Sequence, residues 1–382
     1  MKFNKWTLGL AAVGVVSMAS AVRADETKLS ALNTAVSSTV ISGYVDVAAQ
    51  YNAGSPSPRE SAYAAYQPTT GYNGAAVNNG KVDNFSLNDV VISLDKALDE
   101  SPWASGYHVD LNWGADAISP ANGTPVRQAY VTLRTPVGNG IDWKVGGFDG
   151  VTGYEGNTAY SNPNYTRSYG YEVNPASELG MIGSYKIVDG VSVQAGLGNR
   201  YSGNSVGLSS KDFIFAAALT APDSWGWIKG STLNAGTVQT FDNGGINNYS
   251  VSATIATPVT GLKFGAAYDI VQSLQSSKDG NIFGVYGTYQ ATDKLAFNVR
   301  GEYVDTTDLP LINGYNQFGF TNHKGEEVTA TVEYDLWANV VSRVEFRWDH
   351  TEHGVAFNNG GFSETPSNEN AFLLALNLVY KF

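Results

Sequence analysis

The chain has 382 residues, which would suit two soluble domains or one large barrel, so length alone does not decide its class. Its 42 glycines, 22 tyrosines and only 15% charged residues are typical of many strands and turns, whereas soluble domains carry about a quarter charged residues. The formal net charge of −12 argues against nucleic acid as a partner, and the absence of cysteine excludes a disulfide framework and thiolate chemistry.

The N-terminal residues 1–24 are predicted to be a signal peptide for export through the Sec pathway. A short basic start is followed by an apolar run of small residues and a cleavage site after Ala24, with cleavage after Ala21 as the alternative. The polar residues 25–39 are predicted to form a flexible periplasmic leader. Removal of residues 1–24 leaves 20 basic against 35 acidic residues and a net charge of −15.

From residue 40 onward the pattern is one of strands about ten residues long, which is the length that crosses a bilayer when tilted. With a mean hydropathy of −0.17, the chain shows no apolar run after its N-terminus that would span a bilayer as a helix. Sixteen strands are predicted, at 40–52, 85–98, 103–113, 126–135, 141–149, 178–187, 191–199, 211–221, 231–241, 248–258, 262–272, 281–290, 294–305, 326–336, 340–350 and 371–382.

Alternation within these segments separates two faces. In the thirteenth, Phe297 and Val299 point one way, while Asn298 and Arg300 point the other. A strand with lipid on one side and water on the other explains such a pattern repeated many times. We therefore expect alternate positions of each strand to contact different environments, lipid on the outer face and water in the lumen on the inner face.

The connections between the strands also alternate, because every second one is short and most of the others are long. Short periplasmic turns and longer outer loops are the habit of outer-membrane barrels. The fold class predicted is all-β: a transmembrane, antiparallel, up-and-down β-barrel over residues 40–382 with about 16 strands, and 14 or 18 as alternatives. Outward aromatic residues are expected to form two girdles at its rims: Tyr51, Trp113, Tyr303 and Trp348 outside, and Trp143, Tyr185, Tyr289, Tyr334 and Tyr380 on the periplasmic side.

The last strand carries a further signal. Its apolar face runs from Phe372 to the terminal pair Tyr380 and Phe382, and this ending resembles the C-terminal signal of bacterial outer-membrane barrel proteins. The resemblance implies that the barrel-assembly machinery recognises Tyr380 and Phe382.

A barrel of about sixteen strands is wide enough for an aqueous channel, so the contents of its lumen decide its function. The long loop at about 150–177 is predicted to fold inward and to narrow the channel, opposite strands thirteen to fifteen. Two interpretations stay open: charges facing one another across the opening, which would set ion selectivity, or charges paired laterally along the wall. The predicted constriction residues are Asp149, Glu155, Arg167, Glu172, Arg300, Glu302, Glu333, Arg343, Glu345 and Arg347.

Catalysis and metal binding find little support in the sequence. His350 and His353 are two of only four histidines, and their i,i+3 spacing at the end of a strand suits loop residues better than a metal pair. No Ser–His or Asp–His spacing stands out. We expect no cofactor, no metal and no enzymatic activity.

Three stretches together resemble a known family: Gln128-Ala-Tyr-Val131, then 138–146 (Gly-Asn-Gly-Ile-Asp-Trp-Lys-Val-Gly), then 162–169 (Asn-Pro-Asn-Tyr-Thr-Arg-Ser-Tyr). They are similar to the OmpL-like putative beta-barrel porin family, as are Phe85-Ser-Leu-Asn88 and Val109-Asp-Leu-Asn112. The sequence departs from the family pattern at Thr166, where a Ser is usual, and at 174–180. The resemblance implies an outer-membrane pore-former.

The function expected from these features is a porin that passes small hydrophilic solutes and ions by diffusion across the outer membrane of a Gram-negative-type bacterium. A substrate-selective sugar or peptide channel, a plugged surface or adhesion barrel, and a barrel enzyme are the alternatives. Expected partners are outer-membrane lipid and lipopolysaccharide, the assembly machinery, small hydrophilic solutes, and two further copies in a homotrimer.

Overall fold

The computed structural model describes residues 38–53, 84–118, 124–199, 211–241, 245–274, 278–305, 324–352 and 369–382. The predicted signal peptide and all but the end of the predicted leader lie outside these residues, as does His353 of the histidine pair. Within the described ranges, no helix is both long enough and apolar enough to cross a bilayer.

Sixteen antiparallel strands form one closed barrel in the described part of the chain, each paired with its neighbours in sequence. The predicted fold class and the strand number of sixteen are confirmed. The strands are β1 (Val40–Ala53), β2 (Asn84–Lys96), β3 (Ser105–Trp113), β4 (Val126–Thr135), β5 (Ile141–Asp149), β6 (Ser177–Val188), β7 (Val191–Asn199), β8 (Lys211–Thr220), β9 (Thr232–Thr240), β10 (Ile246–Ala256), β11 (Leu262–Ser273), β12 (Lys278–Gln290), β13 (Leu295–Asp305), β14 (Lys324–Trp337), β15 (Val340–Thr351) and β16 (Asn370–Lys381).

The barrel closes between its first and last strands. β1 pairs with β16 from Tyr44 opposite Lys381 to Ala53 opposite Phe372. Beyond the end of β16, the backbone N–H of Phe382 donates to the carbonyl of Gly43 at 3.0 Å, and the N–H of Gly43 donates back at 3.0 Å. Closure leaves no free sheet edge, whose unpaired backbone groups would be unfavourable in a bilayer.

The two faces of the strands differ as the alternation predicts. On β16, Leu374 and Leu376 are 48% and 56% exposed on the outer surface, whereas Leu373 and Ala375 are buried inside. On β13, Phe297 and Arg300 fall on opposite faces in the same way. Exposed apolar side chains around the whole circumference are what a lipid-facing surface requires.

Two of the register shifts between paired strands bring extra polar side chains inside. β1 and β2 shift register so that Asn88 has no partner in β1, and Asn88 is buried beside Asp89. β3 and β4 shift register at Arg127, whose side chain is buried as well. A β-bulge re-aims a side chain in this manner.

Three short helical segments complete the described structure. A 3₁₀ turn at Ala159–Ser161 and the helix α1 (Tyr169–Val173) lie in the loop between β5 and β6. A second 3₁₀ segment, Asp223–Ile228, forms the turn between β8 and β9. The first two bond to inward-facing residues of β13 and β15, so the β5–β6 loop is the element from which a site is built.

Candidate functional site: the β5–β6 loop and the charged wall

The β5–β6 loop (residues 150–176) is closed at its base and locally ordered. The N–H of Gly150 donates to the carbonyl of Ala176 at 3.0 Å. The Ser168 side chain caps α1 by accepting from the N–H of Tyr171 at 2.9 Å, a common way to satisfy a first-turn donor. The helix ends before Pro175, because the residue that precedes a proline is disfavoured in helical conformation.

Strands β13–β15 present a dense set of charges inward, because alternation puts every second residue there. We call this set the charged wall: Arg300, Glu302, Glu327, Glu333, Arg343, Glu345, Arg347 and Asp349. The three arginines are among the largest fully buried side chains. Buried charges are tolerated only when they are paired and hydrogen-bonded, so their partners are informative.

Arg300 binds both the wall and the loop. Its Nε donates to Oε1 of Glu327 at 2.6 Å, and its Nη1 donates to Oε1 of Glu155 at 2.8 Å. Nη1 also donates to the backbone carbonyl of Thr166 at 2.7 Å. Glu155 and Thr166 belong to the loop, so one guanidinium group joins the loop to the wall.

Arg343 repeats this arrangement nearer the short-turn end of the barrel, the end at which β14 and β15 are joined by a short turn. Its Nε donates to Oε2 of Glu333 at 2.8 Å. Its Nη1 and Nη2 donate to the backbone carbonyls of Ala159 at 3.1 Å and Asn162 at 2.8 Å. The lateral pair and the loop contact are thus made by the same side chain.

Arg347 holds the start of α1. Its Nη1 donates to the carbonyl of Arg167 at 2.6 Å, and its Nη2 donates to Oδ1 of Asp349 at 2.7 Å. The guanidinium group also lies over the ring of Tyr169, 5.1 Å from its centroid. The Tyr169 hydroxyl in turn donates to Oδ1 of Asp349 at 2.6 Å.

Two carboxylates of the wall take the complementary role and accept from loop N–H groups. Glu302 accepts from the N–H groups of 169–170 at 2.6 and 3.0 Å. Glu345 accepts from those of 165–166 at 2.5 and 2.8 Å. Backbone groups of an irregular segment must find partners when they leave water. The wall supplies both donors and acceptors, which is why this loop can lie inside the barrel.

Of the remaining predicted residues, Asp149 lies at the base of the loop and Arg167 and Glu172 lie within it. Asp149 accepts from Nη2 of Arg127 at 2.6 Å rather than from an arginine of the wall. Arg167 donates to the carbonyl of Asn157 at 2.9 Å, and Glu172 is buried in α1. Of the predicted pairings between loop acids and wall arginines, a direct contact is seen for Glu155 and Arg300.

Sequence reasoning missed Arg127, Glu327 and Asp349. Glu327 and Asp349 alternate in phase with the predicted Glu333 and Arg347, so following the inward positions to the outer ends of the predicted strands 326–336 and 340–350 would have found them. Arg127 carried no such signal, because its position in β4 shares the parity of the exposed Val131.

Below the loop, towards the short-turn end, lies a cavity of about 440 Å³. It is bounded by loop residues on one side and by the inward faces of β7–β14 on the other. A site of this size and depth inside a barrel is suited to small molecules.

The comparison with known families decides the identity of the chain. The model of the family described as "Putative beta-barrel porin-2, OmpL-like" matches residues 38–382. The chain belongs to this family. The resemblance noted in the sequence is therefore confirmed, and the barrel is that of an outer-membrane porin channel.

Solved structures agree with this porin fold. Outer-membrane expressed OmpT of Vibrio cholerae shares 14% identity with a TM-score of 0.55, covering 90% of this chain and 97% of that one. The outer membrane channel DcaP of Acinetobacter baumannii shares 11% identity with a TM-score of 0.56 at the same coverages. The anion-selective porin from Comamonas acidovorans shares 9% identity with a TM-score of 0.56, covering 90% and 99%. A comparison with curated protein sequences finds no match.

The porin family and fold indicate a channel rather than an enzyme. Among the residues that the structure describes, no three His, Cys, Asp or Glu side chains come together as metal ligands. His350 lies at the end of β15, where its Nδ1 is 3.0 Å from Oδ1 of Asn370, as expected for a rim residue.

The β5–β6 loop of the porin contains a carboxyl group whose titration should make the stability of the folded barrel depend on pH. Burial raises the pKa of Glu172 from 4.5 to about 8, an effect that the nearby Arg167 and Arg347 oppose. The folded chain therefore keeps a proton that the unfolded chain loses above about pH 4.5. The free energy of unfolding should fall as pH rises from about 5 to 8, by at most about 1.4 kcal/mol per pH unit from this group.

Urea unfolding in detergent at a series of pH values measures this slope. Glu172→Gln should flatten it between pH 5 and 8, while Glu100→Gln, at an exposed position, should leave it as in the wild type. Equal slopes for the wild type and Glu172→Gln would show that Glu172 is ionised in the folded loop.

Proposed function

We propose that this porin forms a water-filled channel for passive diffusion of small hydrophilic solutes and ions, and that the β5–β6 loop is its constriction. The observation that carries the proposal is the binding of this loop to the charged wall across the lumen by Arg300, Arg343 and Arg347. The loop reduces a lumen that sixteen strands would otherwise leave wide, and its attachment sets the width that remains.

The charges around the constriction favour cations. The constriction set consists of Asp149, Glu155, Arg167, Glu172, Arg300, Glu302, Glu333, Arg343, Glu345 and Arg347. Apart from Glu172, which keeps its proton at neutral pH, the set has five carboxylates against four arginines, and seven against five when the missed Arg127, Glu327 and Asp349 are added. Fixed charge in a narrow channel selects ions of opposite sign.

Single-channel recording in planar bilayers tests the channel. Purified protein should insert with discrete steps of current in potassium chloride, and a salt gradient should give a reversal potential of the sign that reports cation preference. A folded barrel that inserts without current steps would instead be plugged, and the proposal would fail.

The barrel's surroundings follow from its surface. Outward apolar residues bind outer-membrane lipid, and the rim aromatic residues meet lipopolysaccharide at the outer interface.

The N-terminal residues 1–24 direct export through the Sec pathway, and residues 25–39 form a leader in the periplasm. Export is tested by N-terminal sequencing of the protein from outer membranes, which should begin near Asp25.

The channel assembles as a homotrimer in this proposal. Support comes from OmpT of Vibrio cholerae, which is described in a trimer form. Native mass spectrometry of the detergent-extracted protein should give three times the mass of the processed chain. A monomer mass alone would remove this part of the proposal.

Recognition of the last strand by the assembly machinery gives a separate prediction. The ring of Phe382 is 51% exposed, and its backbone bonds to Gly43 do not depend on the side chain. Phe382→Ala should therefore refold in detergent as the wild type does. In cells the amount of barrel in the outer membrane should fall several-fold, because the signal residue is lost.

Phe372→Ala is the matched control for Phe382→Ala, since it removes an exposed phenylalanine from the same face at the other end of β16. Its level in the outer membrane should stay close to that of the wild type. Similar losses for the two variants would assign the effect to lipid contact and not to recognition.

A further inference from the structure

We infer that the cavity between the β5–β6 loop and strands β7–β14 binds uncharged polyhydroxylated solutes, of the size of a small sugar, in preference to ions. The inference rests on the proposed channel function, because the solute must enter the lumen. The cavity volume of about 440 Å³ lies within the range of about 300–1,000 Å³ of small-molecule sites.

The barrel side of the cavity is lined chiefly by uncharged hydrogen-bonding groups. They come from five strands: Gln194 on β7, Asn234 on β9, Thr254 on β10, Thr288 on β12 and Asn298 on β13. Amide and hydroxyl groups both donate and accept. The hydroxyl groups of a sugar do the same, so such a lining matches a polyol at many orientations.

The carboxylates that line the cavity are paired with arginines. The carboxylates of Asp149, Glu155 and Glu333 line it, and each lies 2.6–2.8 Å from an arginine nitrogen. Lys263 is the one cationic side chain among the described residues of the lining. A cation would find the carboxylates of the lining already paired, whereas a neutral solute needs no counter-charge.

An aromatic surface lies on the loop side. Tyr154 stacks on Tyr286 with ring centroids 3.9 Å apart, and its hydroxyl lies 3.2 Å from that of Thr254. Gly265 makes room for it, since a Cβ there would lie 2.2 Å from the Tyr154 oxygen. Tyr286 is buried whereas Tyr154 is partly exposed, so Tyr154 offers ring surface to the cavity. The C–H face of a sugar ring packs on such a surface.

Tyrosine rings also attract cations, so an organic cation is the competing ligand. The experiment records potassium current through the wild-type channel while maltose, tetramethylammonium or glutamate is added in turn. Maltose should reduce the current saturably, with a half-blocking concentration in the millimolar range. The two charged probes should block at least about tenfold less tightly, which corresponds to 1.4 kcal/mol. Tighter block by tetramethylammonium or glutamate would overturn the inference.

Two variants locate the site. Tyr154→Ala should raise the half-blocking concentration of maltose at least tenfold. Thr288→Val deletes one hydroxyl group and should raise the half-blocking concentration several-fold. The second variant keeps the test available if Tyr154→Ala does not fold. Tyr289→Ala removes an outward ring on β12 that is 42% exposed and should leave maltose block unchanged.

The outcomes separate this inference from the channel itself. Current steps without saturable maltose block would refute the sugar site and leave the channel standing. Maltose block that neither Tyr154→Ala nor Thr288→Val weakens would refute the location. Absence of current steps would refute both.

Discussion

Replacement of Arg300 by methionine should lower the free energy of unfolding in detergent by about 3–5 kcal/mol, the cost of removing one partner from a buried ion pair. Arg300 is 1% exposed and its guanidinium group binds Glu155 and Glu327. Methionine fills much of the same volume but leaves both carboxylates buried without their cation. Two carbonyl groups of the loop also lose a donor.

Urea unfolding measures this loss, and Arg134→Met is its control. Arg134 pairs with Asp142 at 3.0 Å near the short-turn rim, where the aspartate side chain is 42% exposed, and exposed pairs contribute about 0–1 kcal/mol. Arg300→Met should also give larger and noisier single-channel currents, because the loop loses a point of attachment. Equal stability losses in the two variants would contradict the role assigned to Arg300.

The second large effect concerns the two faces of one strand. Val251 and Ser252 are neighbours at the middle of β10; Val251 is 49% exposed on the outer surface, while Ser252 is buried and lines the cavity. Val251→Arg should destabilise the folded barrel by about 2–4 kcal/mol, since it places a charge against lipid near mid-depth. Ser252→Arg places its charge on the lumen side and should destabilise the barrel less than Val251→Arg does.

Reversible unfolding in lipid vesicles compares these two variants under one condition. Ser252→Arg should in addition shift the reversal potential towards anions, because its charge faces the channel, while Val251→Arg should not change selectivity. A similar stability loss in both would mean that the two faces do not meet different environments.

The fold was predictable because each strand separates two solvents. Period-two alternation is strong where one face is continuously apolar, as with Phe297 and Val299 against Arg300, and sixteen such segments reinforce one another. Some strand ends differ from the prediction: β10 begins at Ile246 and β14 at Lys324, two residues earlier than predicted in each case. The extra residues continue the ladder beyond the apolar part, where composition no longer marks a strand.

The loop contacts were not predictable to the same degree. Alternation shows that Arg300, Arg343 and Arg347 point inward. It does not show that they bind backbone carbonyls of a loop, because a backbone group carries no sequence signal. Arg127 illustrates a second limit, because a bulge turned a side chain inward at a position whose parity indicates lipid.

The attachment of the loop to β13–β15 also has a consequence for the order of folding. Residues 150–176 are far in sequence from the arginines that bind them, with separations of 145 residues for Glu155 with Arg300 and 184 for Ala159 with Arg343. Contacts between such distant segments form slowly. The loop therefore takes its final position late in folding, once β5, β6 and β13–β15 have all joined the closed barrel.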